Sequence, residues 1–152
     1  MNVERCAELF LSGYNCAQAV AGGFAEAAGL TEENALTLAS CFGAGTCGTR
    51  NTCGTVNGAL IILGAVLDKT SADDKKQVYE EGRKLIEEFE KKFSTVVCKE
   101  LLTKAKAYFA ESPLPRTESY YKARPCLVFV KETAEWLENK INEIKTKSLY
   151  NE

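Results

Sequence analysis

Seven cysteines and no histidine are the residues of this chain from which chemistry can be built. Cys6, Cys16, Cys41, Cys47, Cys53, Cys98 and Cys126 offer soft thiolate donors. Such donors bind iron–sulfur clusters or zinc, or cycle between dithiol and disulfide. Without an imidazole the chain lacks the commonest general base, which excludes Ser-His-Asp and Cys-His nucleophilic mechanisms. No two cysteines have Cys-x-x-Cys spacing, so any shared site must be assembled by folding. Four of them have one placement in common. Asn15 is positioned to cap a helix starting at Cys16, and Thr52 one starting at Cys53. Cys98 falls in the first turn of a helix begun by Ser94 or Thr95, and Cys126 follows Pro125 at the start of the last helix. The positive end of a helix favours thiolate over thiol. Four such termini converging make an electropositive pocket suited to a cluster, a metal ion or an anionic sulfur species.

The elements that must position these residues are all helical. The segment Cys41 to Leu67 concentrates three cysteines, six of the eleven glycines and the most apolar run of the chain. Its second half predicts a helix over Cys53–Leu67, with Val56, Ala59, Leu60, Leu63 and Leu67 on one face and Ile61, Ile62 and Val66 covering the rest. A helix apolar all round is expected in the core. Gly54, Gly58 and Gly64 each cost about 1 kcal/mol against alanine inside it, so close approach of another backbone or of a cofactor is expected to offset them. Around it the spacing predicts helices over Val3–Leu11, over Cys16 to about Ala28 closed by Gly29, and from Thr31 into the glycine-rich loop. A long surface helix runs from Ser71 to Phe93 with Val78, Leu85, Phe89 and Phe93 as its apolar stripe. A short helix turns Cys98, Leu101, Leu102, Ala105 and Phe109 inward, and the last helix carries Val130, Thr133, Leu137, Ile141 and Ile144. Glu111 to Lys122 reads as a loop, and Ser148 to Glu152 as a frayed polar tail. The fold class is all-α: one domain over residues 1–147, a bundle of about six or seven helices around the Cys53–Leu67 helix.

At 152 residues the chain is long enough to bury a core without metal or disulfides. A formal net charge of −2 with both signs interspersed offers no basic face to nucleic acid. The opening MNVERCAELF lacks the layout of a signal peptide, and the longest uncharged apolar run, Gly58 to Leu67, is far below the roughly 18 residues of a membrane helix. A cytoplasmic protein with no membrane insertion is expected. Cys6 lies on an apolar face and reads as core. Cys41 stays open between core and site. Cys47, between glycines, reads as an accessible thiol, either resolving or an extra ligand.

Cys16 within NCAQAV, the segment CGTVNG from Cys53 to Gly58, VCKELL around Cys98 and RPCLVFV around Cys126 together resemble the C_GCAxxG_C_C family of redox proteins. The resemblance covers nearly the whole chain. It implies that Cys16, Cys53, Cys98 and Cys126 form the site, with Gly54 and Gly58 as the accompanying glycines on the cofactor side. Two departures stand out: Thr55 replaces an alanine, and Cys41 and Cys47 lie in a loop that is usually glycine and aliphatic. Relatives fused to cytochrome modules imply an iron–sulfur centre and electron transfer. Neighbouring transporter genes imply a redox partner protein or a membrane transporter as partner.

Three functions follow from these residues. The four cysteines bind an iron–sulfur cluster, most simply [2Fe–2S], and pass electrons. Alternatively two of them cycle as dithiol and disulfide without metal. A third reading is a helical interaction module or transporter accessory with structural cysteines. Arg50, Arg116 and Arg124 flank the cysteine segments and are placed to offset thiolate charge. A homodimer sharing the cofactor also fits the glycines.

Overall fold

Short polar side chains set the helix boundaries. The Asn15 side chain accepts from the Gln18 N–H while the Gln18 side chain accepts from the Asn15 N–H, a reciprocal cap that starts a helix at Cys16. Thr31 caps the next helix by accepting from the Asn34 N–H, and Thr117 caps another by accepting from the Tyr120 N–H. The computed structural model describes residues 1–110 and 112–150. Among these residues it contains eight α-helices: α1 (Asn2–Leu11), α2 (Cys16–Gly23), α3 (Glu32–Ala39), α4 (Gly54–Leu67), α5 (Lys75–Phe93), α6 (Cys98–Lys104), α7 (Glu118–Ala123) and α8 (Cys126–Tyr150). The all-α class expected from periodicity is the class observed, with one or two helices more than expected.

The central helix α4 packs against α2, α5 and α8, and α1 lies across α2 and α8. Its buried face is Val56, Ala59, Ile62 and Leu63. The opposite face does not enter the core, contrary to the all-round burial expected. Leu60, Ile61 and Leu67 are half-buried and Gly64 is exposed, because this face borders a groove shared with Val78, Tyr79, Gly82 and Ile86 of α5. The three glycines of α4 therefore divide. A Cβ at Gly58 would stand 2.5 Å from the Ala17 carbonyl oxygen, and one at Gly54 would stand 2.9 Å from the Phe42 carbonyl oxygen and 3.2 Å from the Ala17 nitrogen. Nothing lies within 4 Å of a Cβ at Gly64, so the close approach expected there is absent.

Other boundaries move for local reasons. α2 ends at Gly23 and continues as a 3-10 turn over Glu26–Ala28 before Gly29 closes it with φ +72°. The segment after Ser71 is a 3-10 turn, Ala72–Asp74, ahead of α5. α6 begins at Cys98 rather than at Ser94 or Thr95, which precede its Val97 N-cap. It stops at Lys104, so Ala105 is exposed and Ala107 is buried in its place. The stretch expected as a loop contains α7, whose Tyr121 hydroxyl donates to the Phe10 carbonyl oxygen and whose ring meets Phe10 edge-on at 5.6 Å. Glu111, the first residue of that expected loop, and Asn151 and Glu152 of the expected tail lie outside the described residues, while Ser148 to Tyr150 continue α8.

Candidate functional site

Two short stretches of backbone bring the first pair of cysteines together. Residues 50–53 run antiparallel to residues 96–99. The Cys53 N–H donates to the Val96 carbonyl at 2.7 Å, the Cys98 N–H to the Asn51 carbonyl at 2.6 Å and the Lys99 N–H to the Arg50 carbonyl at 3.0 Å. Thr52 faces Val97 in this pairing. Cys53 consequently occupies the N-cap of α4 and not its first turn, which corrects the assignment of Thr52 as the cap. Cys16 opens α2, held against α4 by the Gly54 and Gly58 contacts, and Cys126 opens α8 behind Pro125.

All four of these cysteines line one cavity of about 260 Å³. Cys53 and Cys126 are buried, and Cys16 and Cys98 are half-buried. The same walls carry Arg50, Arg116 and Arg124, three of the chain's five arginines, and among the described residues no carboxylate. Arg50 is 8% exposed. Its Nε donates to the Ala110 carbonyl at 3.2 Å, its Nη2 donates to the same oxygen, and its Nη1 donates to the Cys98 sulfur at 3.8 Å. Arg124 donates to the Tyr108 carbonyl at 2.7 Å. The guanidinium groups of Arg116 and Arg124 both lie over the Tyr120 ring, 4.7 and 4.5 Å from its centre. The Nη1 of Arg116 is buried without a hydrogen-bond partner among the described residues. A cavity with three fixed cations and no acid on its walls favours an anionic occupant.

The thiols do not ionise alike. The neighbouring Cys126 thiol pulls Cys16 below the ordinary thiol value, helped by the Arg116 charge, its own backbone and the Thr55 hydroxyl. The same neighbour relation, together with burial, pushes Cys126 well up. Burial, with the charge on Cys16, pushes Cys53 up to about 12. Burial also raises Cys98, against the pull of Arg50. The thiolate character expected at every helix start therefore holds at Cys16 alone, because burial outweighs the helix terminus at Cys53 and Cys98, and Cys16 together with burial outweighs it at Cys126.

The remaining cysteines separate from this group. Cys6 is fully buried, and its thiol donates to the Val20 carbonyl at 3.9 Å, consistent with the core position expected of it. Cys41 and Cys47 are exposed, and Cys47 also lines the cavity. Of the two glycines, Gly54 lines the cavity, whereas Gly58 lies against the Ala17 backbone. No three cysteine, aspartate or glutamate side chains among the described residues are placed to hold one metal ion. As a donor set of thiols without imidazole or carboxylate, with cations to balance them, the four cavity cysteines fit the ligand chemistry of an iron–sulfur cluster. No helix among the described residues is long and apolar enough to cross a membrane.

Sequence reasoning missed the antiparallel pairing that sets Cys53 beside Cys98, and it missed Tyr120 as a wall residue. The pairing involves only a few residues on each side and leaves no periodic trace. A family model described as "Putative redox-active protein (C_GCAxxG_C_C)" matches residues 14–140 of the chain. No curated protein and no solved structure matches the chain.

Proposed function

The chain belongs to the C_GCAxxG_C_C family of redox-active proteins, and from that premise we propose that Cys16, Cys53, Cys98 and Cys126 hold an iron–sulfur cluster through which the protein passes electrons. The observation carrying this reading is the convergence of four thiols and three arginines on one cavity free of carboxylates among the described residues. When bound, such a cluster supplies one-electron oxidation and reduction. The chain's own residues do the rest. The Gly54 and Gly58 contacts keep α4 close to α2 and so hold Cys53 near Cys16. Arg50 orients the Cys98 sulfur, and Arg50, Arg116 and Arg124 offset the negative charge of the thiolates. The electrons go to a redox partner protein or a membrane transporter, in the cytoplasm.

Seven single Cys→Ser variants, each reconstituted anaerobically with iron and sulfide, test the assignment. Loss of visible charge-transfer absorption is expected for Cys16, Cys53, Cys98 and Cys126, and retention for Cys6 and Cys41. Full absorption in Cys53→Ser together with Cys126→Ser would overturn it.

One observation favours a second reading, a metal-free dithiol centre. Cys16 and Cys126 line the same cavity, and their mutual influence drives their ionisation in opposite directions. A thiolate beside a thiol is the starting state for disulfide formation, in which the pair gives up two electrons and two protons to an oxidant. In metal-free protein at neutral pH, iodoacetamide should then modify Cys16 faster than Cys53 or Cys98, and Arg116→Gln should slow it. Equal rates at the three sites would exclude this reading.

A further inference from the structure

Cys41 and Cys47 are the two exposed cysteines, and the four-thiol site does not use them. They are not independent of each other. The Cys47 N–H donates to the Cys41 carbonyl oxygen at 2.8 Å, and the Cys47 thiol donates to that same oxygen at 3.2 Å. That bond brings the backbones of the two residues into direct contact, and a disulfide bridges α-carbons roughly 4.4–6.8 Å apart. The Cys47 sulfur is already turned towards the Cys41 backbone.

The loop between them is fixed in an unusual shape. Ala44, Gly45, Thr46, Cys47 and Gly48 are consecutive residues with φ between +52° and +77°. Three of these five are not glycine, and such residues adopt the left-handed region only where their surroundings enforce it. Here the enforcement is visible. The Arg50 N–H donates to the Ala44 carbonyl at 3.1 Å, the Asn51 N–H to the Gly45 carbonyl at 2.8 Å, and the Asn57 side chain of α4 to the Thr46 hydroxyl at 3.1 Å. Two exposed cysteines are thus held in backbone contact by a loop that has already lost its freedom, which lowers the entropic cost of joining them.

The geometry points to a second redox pair: Cys41 and Cys47 form a reversible disulfide at the rim of the cavity by exchange with a small-molecule disulfide of the glutathione class. The Cys47 thiolate attacks one sulfur of the reagent, breaking its S–S bond, releasing one thiol and leaving a mixed disulfide on Cys47. The Cys41 thiolate then attacks the Cys47 sulfur and releases the second thiol. The two protein thiols lose two electrons, the reagent's sulfurs gain them, and the two protons pass to the released thiols. Because Cys47 lines the cavity and Cys41 does not, the bond removes a free thiol from the cavity wall beside the four-thiol site. This inference does not depend on the cluster reading, since it concerns thiols outside that set.

Reduced protein titrated with glutathione disulfide, blocked with N-ethylmaleimide and digested with trypsin and chymotrypsin tests it. Cleavage after Phe42 and Arg50 places Cys41, Cys47 and Cys53 in different peptides. The expected result is a Cys41–Cys47 linked peptide pair appearing at lower reagent concentration than any other linkage. Cys41→Ser should halt the reaction at a glutathione adduct on Cys47. Adducts on both cysteines without a link, a first linkage elsewhere such as Cys16 to Cys126, or no reaction at either residue would overturn it.

Discussion

Thr55 is the second residue of α4, 0% exposed, and its hydroxyl has no hydrogen-bond partner among the described residues. It stands where the family pattern carries alanine. The hydroxyl nonetheless lies near enough to the Cys16 and Cys53 sulfurs to favour their charged forms. With neutral thiols it is a buried polar group without compensation, at a cost of about 1–3 kcal/mol. Thr55→Val keeps the shape and removes the hydroxyl, so metal-free protein at neutral pH should be stabilised by about 1 kcal/mol in urea unfolding. A destabilised variant would mean that the hydroxyl is already used as a donor when the thiols are neutral.

At the scale of the helices, the glycines of α4 make opposite predictions. Gly58→Ala drives a methyl group against the Ala17 carbonyl, which is backbone and cannot swing away. It should cost about 1–3 kcal/mol, as overpacking does, and loosen the hold of α2 on α4. Gly64→Ala meets nothing within 4 Å and gains helix propensity; it should stabilise by about 1 kcal/mol. Thermal melts of the two variants beside the parent check both signs, and a neutral Gly58→Ala would mean that α2 and α4 are free to separate. These glycines also mark what the sequence could convey. Their abundance in an apolar helix signalled that something comes close, and at Gly54 and Gly58 it does. Which glycine faces the neighbour depends on the rotation of α4, and a helix apolar on every side does not reveal its rotation. α7 was hidden for another reason. Its six residues carry no full apolar period, and Pro113 and Pro115 just before it argue for a loop; only the Thr117 cap betrayed it. Cys16 was legible because its capping residue, Asn15, precedes it in sequence, whereas Cys53 is itself the N-cap of α4 and Cys98 follows Val97, which caps nothing with its side chain. The ionisation of the cysteines was not legible, because burial is set by distant parts of the chain.

For the molecule as a whole, the buried thiols couple folding to pH. Burial pushes Cys6 and Cys53 up to about 12 from an ordinary value of 9.0, so the folded state keeps protons that the unfolded chain releases. The stability they contribute is fully present below about pH 9 and is lost as pH rises towards 12. Metal-free protein should therefore show a lower urea midpoint at pH 10 than at pH 7, and Cys6→Ala should reduce the difference. An unchanged midpoint would show that these thiols ionise freely in the fold. The same electrostatics sets the character of the cavity. A chain of net charge −2 gathers three arginines around four thiols, and an iron–sulfur cluster with its thiolates supplies the anion this arrangement favours. The most direct test is iron and acid-labile sulfide analysis of the anaerobically purified protein, with a visible spectrum of the same sample. The account predicts iron and sulfide in matching amounts and a charge-transfer spectrum that disappears in Cys53→Ser. A colourless protein that takes up neither iron nor sulfide on anaerobic reconstitution would contradict it.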